Sequence, residues 1–456
     1  MLNHKATQYI VSILLFLLFF ALGYKIERHE TAGLILCYSL IFTLYAWIIF
    51  KNTKEQLPFW IATAIGLRIL LLFSIPNLSD DFYRFIWDGR LLVSGYHPFA
   101  HIPSFYIENN IAIPGIDETL YSNLNSKTYF TIYPPVAQVF FWLAAMLSSS
   151  IYGSLLILKV CILLAEIGTI FLLKRLLNQF SSSTQTLLIY ALNPLVIIEL
   201  VGNVHFEAIL IFFILLTCYF LTQQRLALAA FFMATSICVK LIPVIFLPAI
   251  LPFLGRKKAL VFYVSTAVIC LLFFLPLLNT TILGGFKNSI GYYFSKFEFN
   301  ASLYYIVRGV GYFFWGYNII QIAGTILGAI AGILIIIISF RNFRAYQVPM
   351  DISIKTPPID HRVWAFFQAM MWSLLIYFLF TTTLHPWYIT TLLAVTIFTR
   401  LQFAILWTFT IFLSYTGYTL GGFEENLWVV IFEYVTVLGY LAYELLWKRN
   451  SSSAVA

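Results

Sequence analysis

Residues 79–99 read SDDFYRFIWDGRLLVSGYHPF, and the first dozen hold three aspartates and two arginines in a chain that is 61% hydrophobic and 10% charged. A carboxylate held beside an alcohol can take its proton as the oxygen attacks an electrophile, which is general-base catalysis. Asp80 and Asp81 are the candidates for that role. Successive residues on a helix point about 100° apart, so one of the two faces a given substrate. Asp80, Arg84 and Asp88 recur at i, i+4 and i+8 on one face, which favours an Asp80–Arg84 pair and leaves Asp81 as the better base. The bland alternative is a capped helix with a surface ion-pair ladder, its Phe82, Phe85 and Ile86 turned to the membrane interface.

Further along, Lys240 lies in ATSICVKLIPVIFLP, where an uncompensated ammonium would cost a few kcal/mol or more. It calls for an anion, either Glu207 or a phosphate of a lipid substrate, unless it snorkels to the interface. His205 and Glu207 in GNVHFEA can bind a sugar or pair structurally. His385 in TTTLHPWY can donate to a phosphate oxygen; Trp387 and Tyr388 can stack on a sugar or belong to an aromatic belt, and for Trp387 the belt is the expectation. Arg84 is a second phosphate candidate, with Asp88 and the Tyr133 of TIYPP as substrate-binding candidates. His97 and His101 flank Pro98, a poor geometry for a metal pair, and the five cysteines lie in apolar runs without metal or disulfide spacing. No metal, no cofactor and no nucleic-acid module is expected.

These residues must be carried by helices in a bilayer. A mean hydropathy of +0.88 over 456 residues is incompatible with a soluble domain, and apolar runs long enough to cross the hydrocarbon recur along the chain. The first run, near 8–24, reads as a retained helix rather than a signal peptide. The expectation is an all-α polytopic membrane protein with about 12 to 14 spans, a count that rests on apolar runs of about 20 residues. Spans are expected near 8–24, 31–50, 58–75, 152–173, 184–201, 206–222, 226–254, 259–278, 317–340, 363–382, 387–399, 401–418 and 427–447. The run 226–254 is broken around Lys240 and Pro243. PPVAQVFFWLAAMLSSS, 134–150, is read as an interfacial or partly embedded helix opened by its prolines.

Lysine and arginine clusters at 51 and 54, 174 and 175, 255–258, 341 and 344, and 448 and 449 can all be cytoplasmic together, with both termini inside the cell membrane. The competing group from Lys25 to His29 then falls outside. This threading makes 76–133 a long external loop with interfacial helices and puts every polar motif named above on the external side.

With those residues in place, the chain resembles the GT-C glycosyltransferases. SDDFYRFIWDGRLLVSGYHPF, YPPVAQ, NPLVIIELVGNVHFEA, VKLIPVIFLP and LHPWY look like the bacterial polyprenyl-phosphate-mannose-dependent mannosyltransferases. The likeness covers roughly 58–400 and implies a GT-C-like catalytic membrane domain there. Residues 1–57 then form two additional spans, and 401–456 the last spans and a short cytoplasmic tail. It implies that Asp80 or Asp81 is the base and that a hexose, mannose by the likeness, passes from a polyprenyl-phosphate donor to a glycan or lipid-linked acceptor. Attack would come from the face opposite the phosphate. The sequence departs from the family pattern at His97, where asparagine is usual. The other reading is a transporter or flippase of a lipid-linked or anionic sugar compound, since discontinuous helices are common in transporters.

Overall fold

The computed structural model describes residues 4–180, 183–344 and 361–447. They form an all-α bundle with one two-residue β-hairpin, and the expected helical membrane architecture holds. Among the described residues, eight helices are long and apolar enough to cross a membrane: Lys5–Tyr24, Thr31–Lys51, Lys54–Leu72, Ile151–Gln179, Arg256–Leu277, Ile320–Arg341, Arg362–Phe380 and Leu427–Leu446. Thr184–Ala191 and Pro194–Gly202 make a ninth if the pair, bent by 52°, is one span. The runs at 206–222, 226–254 and 401–418 form shorter helices, and 387–399 holds only the helix Tyr388–Thr396. The break around Lys240 falls where expected, but with these short helices and the bend at Asn193 the described residues hold fewer full-length helices than the 12 to 14 expected. Lys448, Arg449 and the expected tail lie outside the described residues.

The two ends of the bundle differ in chemistry. At one, Gln185 donates to the Asn52 carbonyl (3.0 Å), Thr222 to Gln179 (3.5 Å) and Lys258 to Gln224 (2.7 Å). That end gathers the lysines and arginines at 51–54, 174–175 and 256–258. The Gln224–Lys258 contact also fixes the path of the chain between them. Leu226–Val239 rises, Lys240 adopts an extended conformation, and Ile242–Phe246 and Leu247–Leu254 descend to the same end. The segment is a hairpin with Lys240 at its tip.

Arg68 and Lys159 are charges buried in the apolar bundle, and both are hydrogen-bonded, as the cost of burial requires. Arg68, with no exposed surface, donates to Glu166 (2.9 and 3.1 Å), which also accepts from Tyr190 (2.7 Å). Its remaining nitrogen takes the Ala191 carbonyl (2.7 Å), freed where the bent span breaks before Asn193. Lys159, equally buried, donates to the Leu71 and Ser74 carbonyls (2.8 and 2.6 Å). Terminal carbonyls of a helix lack intrahelical partners, so this lysine closes the end of Leu57–Leu72 just before the aspartates.

Candidate active site

The helix Asp81–Val93 has Asp80 at its N-cap, and Ser79 Oγ accepts from the Asp81 amide at 3.4 Å. Asp81 lies in the first turn, where the helix dipole favours a carboxylate. The apolar face does not meet the membrane interface as expected; Phe82, Phe85 and Ile86 are buried. Phe85 stacks on Phe141 of the helix Pro135–Leu147 at 4.7 Å, and the two helices approach so closely that a Cβ at Gly89 would strike the Phe141 carbonyl.

The ion pairs on this helix also differ from the expected ladder. Asp80 pairs with Arg28 (3.1 Å), from the connection between the first two helices, and Arg28 lies over the Tyr418 ring at 4.4 Å. Arg84 pairs instead with Asp88 (2.8 Å) and donates to the Ser126 and Tyr129 carbonyls (3.0 and 2.9 Å). Gln138 completes the set on Asp88 at 3.1 Å. Arg84 and Asp88 are thus a buried clamp that ties the loop at 126–129 to the helix. Tyr133 joins Phe85, Phe141 and Phe206 in an aromatic cluster beside it. Asp81 is held by a neutral group, the Asn125 amide, at 2.8 Å, and has no cation at ion-pair distance among the described residues.

Asp80 and Asp81 open into a cavity of about 420 Å³ together with Arg28, Asn125, Tyr129, Glu298, His385, Trp387 and Tyr418. Three remote stretches build its far wall. Phe299 pairs in parallel with Thr383, through Phe299 N to Thr382 O (3.1 Å) and Leu384 N to Phe299 O (2.8 Å), and Glu298 and His385 flank this pairing in the cavity wall. The hairpin Tyr418–Thr419 and Gly422–Phe423 lays Phe423 on Phe299 at 5.1 Å. Apolar residues Phe130, Ile132 and Phe297 line the remainder.

Behind this wall lies a connected polar layer. Trp387 stacks on both His385 (4.4 Å) and His205 (3.6 Å), so it lines the cavity rather than standing in an aromatic belt. His205 bonds through Nδ1 to the Glu199 carbonyl (2.9 Å) and carboxylate (3.2 Å), and Tyr415 donates to Glu199 at 2.8 Å. The backbone there departs from a regular helix: Ile197–Gly202 is a π-helical turn, and Val204 has a φ of 64°, a strained value for a β-branched residue. Lys240 is paired with Glu207 and lies 4.4 Å over the Tyr388 ring, which meets His385 edge-on at 5.6 Å. Of the two anions open to Lys240, the protein supplies Glu207. Burial, then the nearby Lys240 and His205, hold the His385 imidazole well below the usual histidine range. A neutral imidazole keeps one N–H, so His385 can still donate to a phosphate oxygen as the sequence suggests.

The structure therefore gathers Asp80, Asp81, His385 and Trp387 in one cavity and places Lys240, Tyr388, His205 and Glu207 one layer behind it. Arg84, Asp88 and Tyr133 do not line it. The residues that sequence reasoning missed are Arg28, Asn125, Glu298 and Tyr418. Arg28 was visible only as part of a weak topology signal, and the GYTLGGF turn gave the one hint of a hairpin at Tyr418.

Residues 16–256 match the family described as the N-terminal domain of alpha-(1->6)-mannopyranosyltransferase. The chain is also similar to alpha-(1->6)-mannopyranosyltransferase A of Mycobacterium tuberculosis, at 27% identity over 190 residues, 39% of this chain and 35% of that protein. It thus spans about a third of the length of the curated relative it matches. The family match carries Arg28, Asp80, Asp81, Asn125 and Lys240, while His385 and Tyr418 lie beyond it. Because it extends over more than half of the 456 residues, the chain belongs to the alpha-(1->6)-mannopyranosyltransferase family.

Proposed function

We propose that this protein is an integral membrane mannosyltransferase that moves mannose from a polyprenyl-phosphate donor to a glycan or lipid-linked acceptor. The reaction takes place at the external face of the cell membrane, with both chain termini cytoplasmic. The observation that carries the reading is the convergence of Asp80, Asp81, His385 and Trp387, from distant parts of the chain, on one cavity. In the reaction Asp81 takes the proton of an acceptor hydroxyl, the hydroxyl oxygen bonds to the anomeric carbon, and the bond from that carbon to the phosphate oxygen breaks. The polyprenyl phosphate leaves with the electron pair. Asp81 suits the base role because a neutral amide orients it, whereas protonating Asp80 would cost its pair with Arg28. His385 donates a hydrogen bond to the departing phosphate, and Lys240 behind it adds a positive field. The isoprenoid tail follows the apolar side of the cavity at Phe130, Ile132 and Phe297.

The test is transfer by the purified protein in nanodiscs, given radiolabelled polyprenyl-phosphate mannose and an α-mannan acceptor. Labelled product with an added mannose is expected. No transfer to any mannan or lipid-linked acceptor, under conditions where the donor binds, would overturn the reading.

A further inference from the structure

A second cavity, of about 530 Å³, adjoins the one that holds the aspartates, and Arg28, Tyr418 and Phe423 line both. The other groups in its wall include Glu27, His29, Asn77 and Thr419. Glu27 is 71% exposed and paired with His29 at 3.4 Å, so its carboxylate remains accessible. Asn77 uses its amide nitrogen on the Leu22 and Ile26 carbonyls (2.8 and 2.6 Å), which fixes the side chain and leaves its oxygen to accept. Gly422, with a φ of 119°, lets the hairpin turn tightly enough to present Tyr418 and Thr419 together. The two cavities divide their chemistry: the first combines the carboxylates with an apolar side, the second offers hydrogen-bond acceptors beside aromatic rings.

That combination suits a sugar chain, whose hydroxyls need acceptors and whose C–H faces stack on aromatic rings. Resting on the mannosyltransferase reading, we infer that the second cavity binds the acceptor glycan. The Arg28–Asp80 pair stands at the junction, and the reactive hydroxyl passes it to reach Asp81. Glu27, Asn77 and Thr419 hold the preceding sugar, and the exposed Phe423 supports its ring. The α-mannan class follows from the family to which the chain belongs.

The probe is α-(1→6)-linked mannotriose, titrated onto the full chain in nanodiscs, alongside acceptor and donor kinetics. Wild-type protein should bind it saturably. Thr419→Trp, which fills the cavity, should weaken binding at least tenfold and raise the acceptor KM in proportion, with donor KM unchanged. Glu27→Gln, at an exposed position that tolerates substitution, should weaken binding several-fold and guards against misfolding of the first variant. Transfer by the wild type with acceptor KM and trisaccharide affinity unchanged in both variants, or no trisaccharide binding at all, would overturn the site and leave the enzyme reading standing. Saturable binding lost in both variants, in a protein that transfers nothing, would keep the site and overturn the enzyme reading.

Discussion

The residue that best separates a structural from a chemical role is Arg84. A buried arginine bonded to Asp88 and two loop carbonyls leaves an unpaired buried carboxylate when it is removed, a loss of about 3–5 kcal/mol. Arg84→Ala should therefore lower the melting temperature sharply, and Arg84→Met combined with Asp88→Leu should recover part of that loss; a soluble, stable Arg84→Ala with only a raised donor KM would restore the phosphate-binding role. His385 gives a second test through pH. Its folded pKa is depressed below the ordinary 6.5, so below that pH the unfolded chain binds the extra proton and stability falls as the solution is acidified. Between pH 7.5 and 5.5 the melting temperature of the wild type should drop more than that of His385→Gln; equal drops would show that His385 charges freely in the folded protein. The sequence exposed His385 and Lys240 because a polar group in an apolar run is costly. The same argument applied to Arg68, Lys159 and Glu166 would have marked them too, yet one chain gives no sign of which buried charges meet each other and which meet substrate.

The aspartates are positioned by helix-on-helix contact. Asp81–Val93 lies against Pro135–Leu147 with Gly89 at the closest point. Gly89→Ala should force the two apart, cost about 1–3 kcal/mol and reduce transfer along with stability, read by thermal unfolding and activity on the same preparation; wild-type behaviour in both would show that the contact is loose. The start of this helix and the proline-opened helix after the long loop were legible from capping and proline chemistry. The partners were not, because Arg28 meets Asp80 across 52 residues, and the wall made by Phe299 and Thr383 joins segments 84 apart that have no local pattern of their own. Helix lengths were misjudged for a related reason. Hydropathy marks where a chain is apolar but not where its helix stops: the break at Lys240 is legible as a charge beside Pro243, whereas the one at Asn193 falls inside an expected span, and the two are held by the tertiary partners Glu207 and Thr408.

Among the described residues, one end of the bundle carries the basic clusters at 51–54, 174–175 and 256–258, and the cavity lies toward the other. A cysteine placed at Asn123 should react with a membrane-impermeant maleimide on intact cells, and one at Lys257 only after permeabilisation; the reverse pattern would put the site in the cytoplasm. The family match covers the motifs up to VKLIPVIFLP, while the cavity's far wall lies outside the matched stretch; of that wall the sequence shows His385 and Trp387, and residues 297–299 and 418–423 emerge only from the fold. The proposed transfer turns on a single carboxylate, and its sharpest test is the rate of mannose transfer in one turnover, measured with donor binding on Asp81→Asn and Asp80→Asn in nanodiscs. Asp81→Asn should bind the donor as the wild type does and transfer about 10²- to 10⁴-fold more slowly, the range expected for loss of a general base, with a smaller loss in Asp80→Asn. A wild-type rate in Asp81→Asn would show that Asp81 is not the base.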